Sequence, residues 1–322
     1  MNTPYSFARQ RHKPAFATKA QPRFDVASFV HVGARDYQQD AVVTNFPKGD
    51  DIGIAVLADG MGGHLGGEVA SNAALSVAFA EMKLQLVHVR AGHMSIPQAL
   101  GVAVDRANYA IAEHVHAHPQ LAGMGTTLVI CVIAGSQLYW ASVGDSPLYL
   151  FRDGTMTRLN EDHSMGPQIV AMVQSGIINA ADAADHPQRN QLLSAVCGGD
   201  LTHLDCPDSS FALTSGDVLL LASDGIQTLS DEKIGHLLRK KHRTDSDQIV
   251  DALMQAVLDE GEETQDNVSI IATKLIRDDP IALPTAPNPA PPVATAATSP
   301  TAEGDDTDVE QASDLLNKAL LL

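Results

Sequence analysis

At 322 residues, 44% apolar and 19% charged, the chain can bury one substantial core or two small ones and reads as a soluble globular protein. A formal charge of -18 disfavours nucleic acid as the main partner, because phosphate binding needs clustered cations. No run approaches the ~18 apolar residues of a membrane span, and the basic N-terminus lacks an apolar stretch, so no signal peptide is read and the cytoplasm is the expected location. Cys131, Cys197 and Cys206 are odd in number and without C-x-x-C spacing. They indicate neither a disulfide framework nor a zinc site, and Cys131 reads as a small core residue.

In chain order, residues 1–24 carry Arg9, Arg11, Lys13, Lys19 and Arg23 with no acid, and read as a flexible basic arm. A strand over 27–32 and another over 41–44 flank a turn holding Arg35, Gln39 and Asp40. The β-branched run 52–58 then leads into Asp59-Gly60-Met61-Gly62-Gly63-His64-Leu65-Gly66-Gly67, a ligand-holding turn in which glycines let backbone approach where a Cβ would clash. Such a turn can hold a nucleotide phosphate or a metal. With no Gly-Lys-Ser/Thr and no G-x-G-x-x-G, Asp59 as a metal ligand is the preferred reading. A helix follows from 68 to about 89 with Val69, Ala73, Val77, Ala80 and Leu84 on one face. A second spans 97 to about 116, with Leu100, Ala103, Val104, Ala107, Ala110 and Ile111 on its apolar side. His114, His116 and His118 near its end read as cations beside a helix C-terminus, since residues two apart point to different sides. Strands over 127–133, 138–143, 148–152 and 155–159 suggest a meander. Residues 160–199 lose strand periodicity and read as a flap, about 164–190, with a short helix near 169–175. A strand over 218–222, a helix over about 245–260 and a last strand ending near Leu275 complete the core.

Asp153-Gly154 joins two strands as a plain hairpin turn and serves as a control. Asp59 and Asp224 differ from it, each following a continuous apolar run without an obvious return strand. Asp40, Asp145 and Asp266 also abut short strands. Five such aspartates can converge at one sheet edge, where cations would have to neutralise their repulsion, the alternative being scattered surface turns.

The ordered set Arg35 with Gln39-Asp40, Asp59-Gly60-Met61-Gly62-Gly63-His64, Gly67-Glu68-Val69-Ala70 and Gly123-Met124-Gly125-Thr126-Thr127-Leu128 resembles the bacterial metal-dependent (type 2C, PPM family) serine/threonine protein phosphatases. The series continues through Val143-Gly144-Asp145-Ser146, Asp162-His163-Ser164, His186-Pro187-Gln188-Arg189-Asn190, Ala222-Ser223-Asp224-Gly225 and Asp266-Asn267-Val268, within a domain of 25–277. The resemblance implies an α+β fold, a four-layer α-β-β-α sandwich of two central antiparallel sheets flanked by helix pairs. It implies that Asp59 bridges two Mn2+ or Mg2+ ions, with the Gly60 carbonyl on the second and Asp224 and Asp266 on the first. Asp40 would be a direct or water-mediated ligand, and Asp145 with Asp224 would hold a third ion. Oxygen-only ligands suit these hard cations by chemistry alone. A water activated between two such ions would attack the phosphorus of phosphoserine or phosphothreonine, with Arg35 holding the phosphoryl oxygens. Gln39 stands where many members carry Glu, and Met61 where animal members have a histidine proposed as general acid. His64 is a candidate proton donor, set against a structural role beside a helix start, and His163 reads as a loop histidine.

The implied partners are phosphorylated protein substrates and the Ser/Thr kinase that makes them. The alternatives are a non-catalytic phosphoprotein-binding scaffold and a hydrolase of small phosphate esters. Beyond the domain, 278–307 reads as a Pro/Ala-rich acidic linker and 308–322 as a short helix that needs a docking partner.

Overall fold

A computed structural model describes residues 24–276, except 49 and 185, and describes positions 64, 65 and 184 by backbone alone. The expected basic arm, linker and terminal helix lie outside the described residues. In chain order the strands are β1 (Phe24–His31), β2 (Asp40–Asn45), β3 (Ile52–Met61), β4 (Gly125–Thr126), β5 (Leu128–Ala134), β6 (Gln137–Val143), β7 (Leu148–Arg152), β8 (Thr155–Arg158), β9 (Phe211–Ala212), β10 (Val218–Ala222) and β11 (Val268–Leu275). The helices are α1 (Gly63–Arg90), α2 (Ile96–Ala117), α3 (Gly166–Gln174), α4 (Ala180–Ala184), α5 (Asp231–Lys241) and α6 (Ser246–Glu260). One antiparallel sheet runs β1-β11-β10-β7-β8, the other β2-β3-β5-β6-β9 with β4 on the end of β3.

The central strands are continuous apolar runs because both their faces are covered. Along β3, Ile54, Val56 and Ala58 join the core under α1 and α2, while Ala55 and Leu57 turn to the other sheet. On β5, Ile130 and Val132 face the helices, and Val129 and Cys131 face the sheet interface. Leu148, Leu150, Leu219, Leu221 and Ile271 meet them from the five-stranded sheet, whose outer face is covered by Ile234 and Leu238 of α5 and Ile249 and Leu253 of α6. The four-layer sandwich implied by the resemblance is the observed architecture. Each large core side chain, such as Met82, Leu100 or Ile111, contributes about 1.5–3 kcal/mol by burial.

Several elements depart from the sequence reading. The strand does not stop at Ala58: β3 continues through Asp59, Gly60 and Met61, and β4 pairs Gly60 with Thr126. The helix begins at Gly63 rather than Glu68. Its buried face is one position along from the expected one, at Ala70, Ala74, Ala78, Met82, Leu86 and Val89, and Leu84 is 63% exposed. Small and apolar residues lie all round α1, so the pattern alone leaves its rotation open. The alanine seam settles it, because α2 brings Ala99, Ala103 and Ala107 into the same core. The expected four-strand meander is two hairpins in different sheets, since the chain crosses between sheets after Val143 and resumes at Leu148. Helix α5 was not anticipated. It has only Ile234, Gly235 and Leu238 buried, and its start is set by the Ser230 side chain accepting from the Lys233 N–H.

Candidate metal centre

Four strand ends and one crossover deliver five aspartates to one end of the sandwich. Asp40 and Asp59 are paired across β2 and β3. Asp145 lies in the crossover between the sheets, Asp224 just beyond β10, and Asp266 just before β11. Sequence reasoning placed Asp59 in a turn; it is held inside a ladder instead. Thr127 N–H and Thr126 Oγ1 both donate to the Asp59 carbonyl, at 2.8 Å each, and Asp59 N–H donates to Thr127 Oγ1 at 3.1 Å. Gly60 is required because a Cβ there would stand 2.0 Å from the Gly67 carbonyl oxygen, where α1 folds back against β3.

The carboxyls are crowded and largely withdrawn from water. Asp40 is 6% and Asp145 8% exposed. Burial, with lesser contributions from neighbouring carboxylates, pushes Asp40 up to about 6 and Asp145 up to about 7. Asp59 is pushed well up by burial and by the charges of Asp40, Asp224, Asp145 and Asp266. Asp224 is raised by burial and by Asp266, and the charge of Arg35 partly opposes this. Asp40 Oδ2 accepts from Ser223 Oγ at 2.8 Å, while its Oδ1 is buried with no hydrogen-bond partner.

Arg35 stands at the rim, 56% exposed, with Nη2 donating to Asp266 Oδ2 at 2.6 Å. Its turn is held against the start of β11. Ala34 N–H donates to the Gln265 carbonyl, and Gly33, at φ 66, occupies a place where a Cβ would lie 2.2 Å from the Asp266 carbonyl oxygen. Asn267 completes the attachment: Nδ2 donates to the carbonyls of Val32 and Tyr37, Oδ1 accepts from Gln39 N–H at 2.7 Å, and its own N–H donates to Asp266 Oδ1.

Among the described residues, no three His, Cys, Asp or Glu side chains already close on one point. Arg35, on Asp266, brings a positive charge to the rim of the cluster. The donor set nonetheless fits hard divalent ions: it is all oxygen, its charges repel, and Asp40 Oδ1 is an acceptor in need of a partner. Nitrogen or sulfur ligands for a softer metal are not part of it.

The remaining candidates fall in different places. Gln39 Nε2 donates to the Gly63 carbonyl at 3.1 Å and braces the start of α1. His64 is the second residue of α1, and its side chain is outside the described residues. His163 is 4% exposed and braces the crossover: Gly144 N–H donates to its Nδ1, and its own N–H donates to the Gly144 carbonyl. His114 stacks on His118 at 4.6 Å at the end of α2, away from the aspartates. Sequence reasoning missed Ser223, Thr126, Thr127, Asn267 and Arg158 as positioning groups. Arg158 Nη2 donates to the Asp145 carbonyl at 2.7 Å while Nη1 pairs with Asp162. Ser223 and Asn267 stand next to Asp224 and Asp266 in the chain, and with Thr126 and Thr127 they fall within the motifs quoted for the resemblance; nothing marked Arg158. Hydroxyls and amides beside a carboxylate are common enough in turns to carry no message without the fold.

Residues 164–190 include α3 and α4, with the base of the segment tied by Met165 N–H to the Gln191 carbonyl and Leu193 N–H to the His163 carbonyl. Val170 and Ile177 on it are exposed.

A family model described as Protein phosphatase 2C matches residues 30–269. The chain is 35% identical over 187 residues to the serine/threonine phosphatase Stp of Listeria welshimeri, covering 58% of this chain and 71% of that one. It is 36% identical over 189 residues to the serine/threonine protein phosphatase PstP of Mycobacterium tuberculosis, covering 56% of this chain and 33% of that one. The fold matches a crystal structure of the M. tuberculosis phosphatase PstP/Ppp with a TM-score of 0.63 and 30% identity, over 79% of this chain and 99% of that one. It also matches a PstP catalytic domain in complex with two manganese ions, with a TM-score of 0.62 and 28% identity, over 79% of this chain and 99% of that one.

Proposed function

The chain belongs to the protein phosphatase 2C family, and from that premise we propose that Asp59, Asp224, Asp266, Asp40 and Asp145, with the Gly60 carbonyl, hold the metal ions with which it hydrolyses phosphoserine and phosphothreonine on proteins. The observation that carries the assignment is the convergence of five aspartates on one cleft, four of them driven toward protonation, with a buried oxygen of Asp40 left unpartnered. Two Mn2+ or Mg2+ ions, with a third at Asp145 and Asp224, would supply an activated water and neutralise the phosphoryl oxygens.

What the chain itself contributes is position and charge. Asp59, clamped by Thr126 and Thr127, keeps its carboxylate between the two sheets. Ser223 holds Asp40 by one oxygen and leaves the other, buried, without a hydrogen-bond partner. Arg35 uses one N–H on Asp266 and makes no other side-chain hydrogen bond among the described residues, a fork that suits two phosphoryl oxygens. Asn267 fixes the distance between Arg35 and Asp266 by fastening the turn to the strand. Cys131 takes no part: burial pushes its thiol up to about 12.

The natural substrates we assign are phosphoproteins made by a bacterial Ser/Thr kinase, in the cytoplasm. No helix among the described residues is long and apolar enough to cross a membrane. Residues 278–322 are assigned a targeting or regulatory role, to be abandoned if their deletion changes neither protein-substrate kinetics nor partner capture nor thermal stability. The deciding experiment is Mn2+-dependent phosphate release from a phosphothreonine peptide, with EDTA as blank and Asp224→Asn alongside. Loss of a metal ligand is expected to lower turnover about a thousandfold, equivalent to about 4 kcal/mol. Equal turnover in the variant, or none from folded wild-type protein with either metal, would reject the assignment. A small phosphate ester assayed in parallel separates a protein phosphatase from a general esterase.

A further inference from the structure

The strands that end at the aspartates have another end, and its chemistry is opposite. There a cavity of about 490 Å³ is lined by Phe151, Asp153, Ser215, His242, Arg243 and Lys274 among others. It lies where β7 and β11 finish and β10 begins, whereas Asp145 and Asp266 precede β7 and β11 and Asp224 follows β10. Seven steps from Asp217 to Asp224, at about 3.3 Å each, put roughly 23 Å between cavity and carboxylates.

The run Arg239-Lys240-Lys241-His242-Arg243 closes α5: His242 and Arg243 line this cavity, Arg239 Nη1 donates to the carbonyl of its lining residue Gly154, and Lys241 lines a separate groove beside α6. Cations in a last turn are favoured by the helix dipole, which accounts for some of them. Arg243 lies past the helix, exposed, and lines the cavity. None of Arg239, Lys240, Lys241 and Arg243 forms an ion pair among the described residues, in a chain of charge -18. His242 is fixed by its Nδ1 contact to the Arg239 carbonyl and by its ring against Phe151 at 5.5 Å. Lys274 Nζ gives one N–H to the Thr244 carbonyl and retains two. Of the two lining carboxylates, Asp217 is neutralised by Arg152, which leaves Asp153 as the one opposing charge.

We propose that this cationic cavity is a docking site for an acidic, Asp/Glu-rich segment of the protein substrate, remote from the phosphoryl group being removed. The inference rests on the protein phosphatase reading above. A chain of charge -18 repels phosphoproteins as a whole, and exposed charges act over only about 8–10 Å at ordinary ionic strength. A local cluster of unpaired cations therefore attracts an acidic segment that comes within reach and raises the local concentration of its phosphorylated site. The separation sets the reach: short phosphopeptides cannot touch both ends.

The test uses the full chain and three substrates with Mn2+: a small phosphate ester, a short phosphothreonine peptide, and that peptide extended through a Gly/Ser spacer of about 20 residues, spanning roughly 25 Å, to a run of glutamates. At low salt the KM of wild-type protein is expected to be about tenfold lower for the extended peptide than for the short one. Lys240→Glu with Arg243→Glu should abolish that difference while leaving kcat and ester turnover unchanged. Equal KM values in wild type, or a difference that survives in the double variant, would overturn the proposal, as would loss of ester turnover in the variant. Fluorescence anisotropy of the labelled glutamate run alone gives a readout independent of catalysis. Binding to wild type that is lost in the variant upholds the docking site even if no ester is turned over, and equal or absent binding rejects it. Anionic-lipid vesicles captured through the same residues, without peptide binding, would reject it in favour of a membrane surface.

Discussion

Asp217 and Asp40 are both nearly sealed from water, at opposite ends of the sandwich, and their carboxylates meet opposite treatment. Asp217, 3% exposed, receives Arg152 through both oxygens and also accepts from Thr214 N–H and Oγ1. Asp40 has Ser223 on one oxygen, no partner on the other, and further carboxylates beside it. The chain thus has the means to neutralise a buried acid and uses them at one end only. Where it withholds them, folding leaves repulsion that an external cation can relieve, and that is the physical basis on which the five aspartates are proposed as a metal centre.

The sharpest way to break this comparison is to remove one charge from the crowded end. In EDTA, Asp224→Asn should melt at a higher temperature than wild type, because one repelling carboxylate is gone. With excess Mn2+ the order should reverse, by the stabilisation that bound metal gives only to the intact site. A variant less stable in both conditions would show that the cluster is not repulsive. At the other end, Arg152→Ala should cost about 3 kcal/mol of stability by leaving Asp217 without its cation, with kcat on a small phosphate ester unchanged; denaturant unfolding checks the first and steady-state kinetics the second. Between these lies Ser223→Ala, which frees Asp40 to rotate and leaves Ser269 N–H without its acceptor. Mn2+ affinity measured by titration should fall about 10–100-fold, with a smaller change in stability.

The smallest effect concerns the crossover brace. His163 is held below its ordinary value near 6.5, first by burial and then by His203, against the opposing charges of Glu161, Asp205 and Asp162. The neutral ring is the folded form, so its contribution is present above the unfolded value near 6.5 and is lost as the pH falls through the lower folded value. Melting temperature should therefore drop between pH 7 and pH 5 more in wild type than in His163→Asn, whose side-chain oxygen can still accept from Gly144 N–H, by a few degrees at most. Parallel pH profiles for the two proteins would remove His163 from the account.

Much of this was legible from residues alone. Strong apolar runs such as 52–58 and 218–222 announced central strands, because a strand covered on both faces needs no alternation. Asp59, Asp224 and Asp266 stood out against Asp153-Gly154, a true hairpin turn in which Asp153 has φ 51. Other features were out of reach. The rotation of α1 depended on which alanines α2 would meet, and a helix apolar on most sides does not say so. The partition of β5–β8 between two sheets depended on a crossover of four residues that looks like any other turn. Helix α5 carries too few apolar residues to announce itself.

The oxygen-only chemistry of the five aspartates, the absence of softer donors among them and the succession of the main strands along the chain were determined by the sequence, because they follow from side-chain chemistry and from patterns only a few residues long. The convergence of Asp40, Asp59, Asp145, Asp224 and Asp266, the bracing by Ser223 and Asn267, and the cation-rich cavity at the far strand ends were decided by the tertiary structure. Each joins residues distant in the chain, and electrostatic repulsion or attraction between them exists only once two sheets bring their ends together.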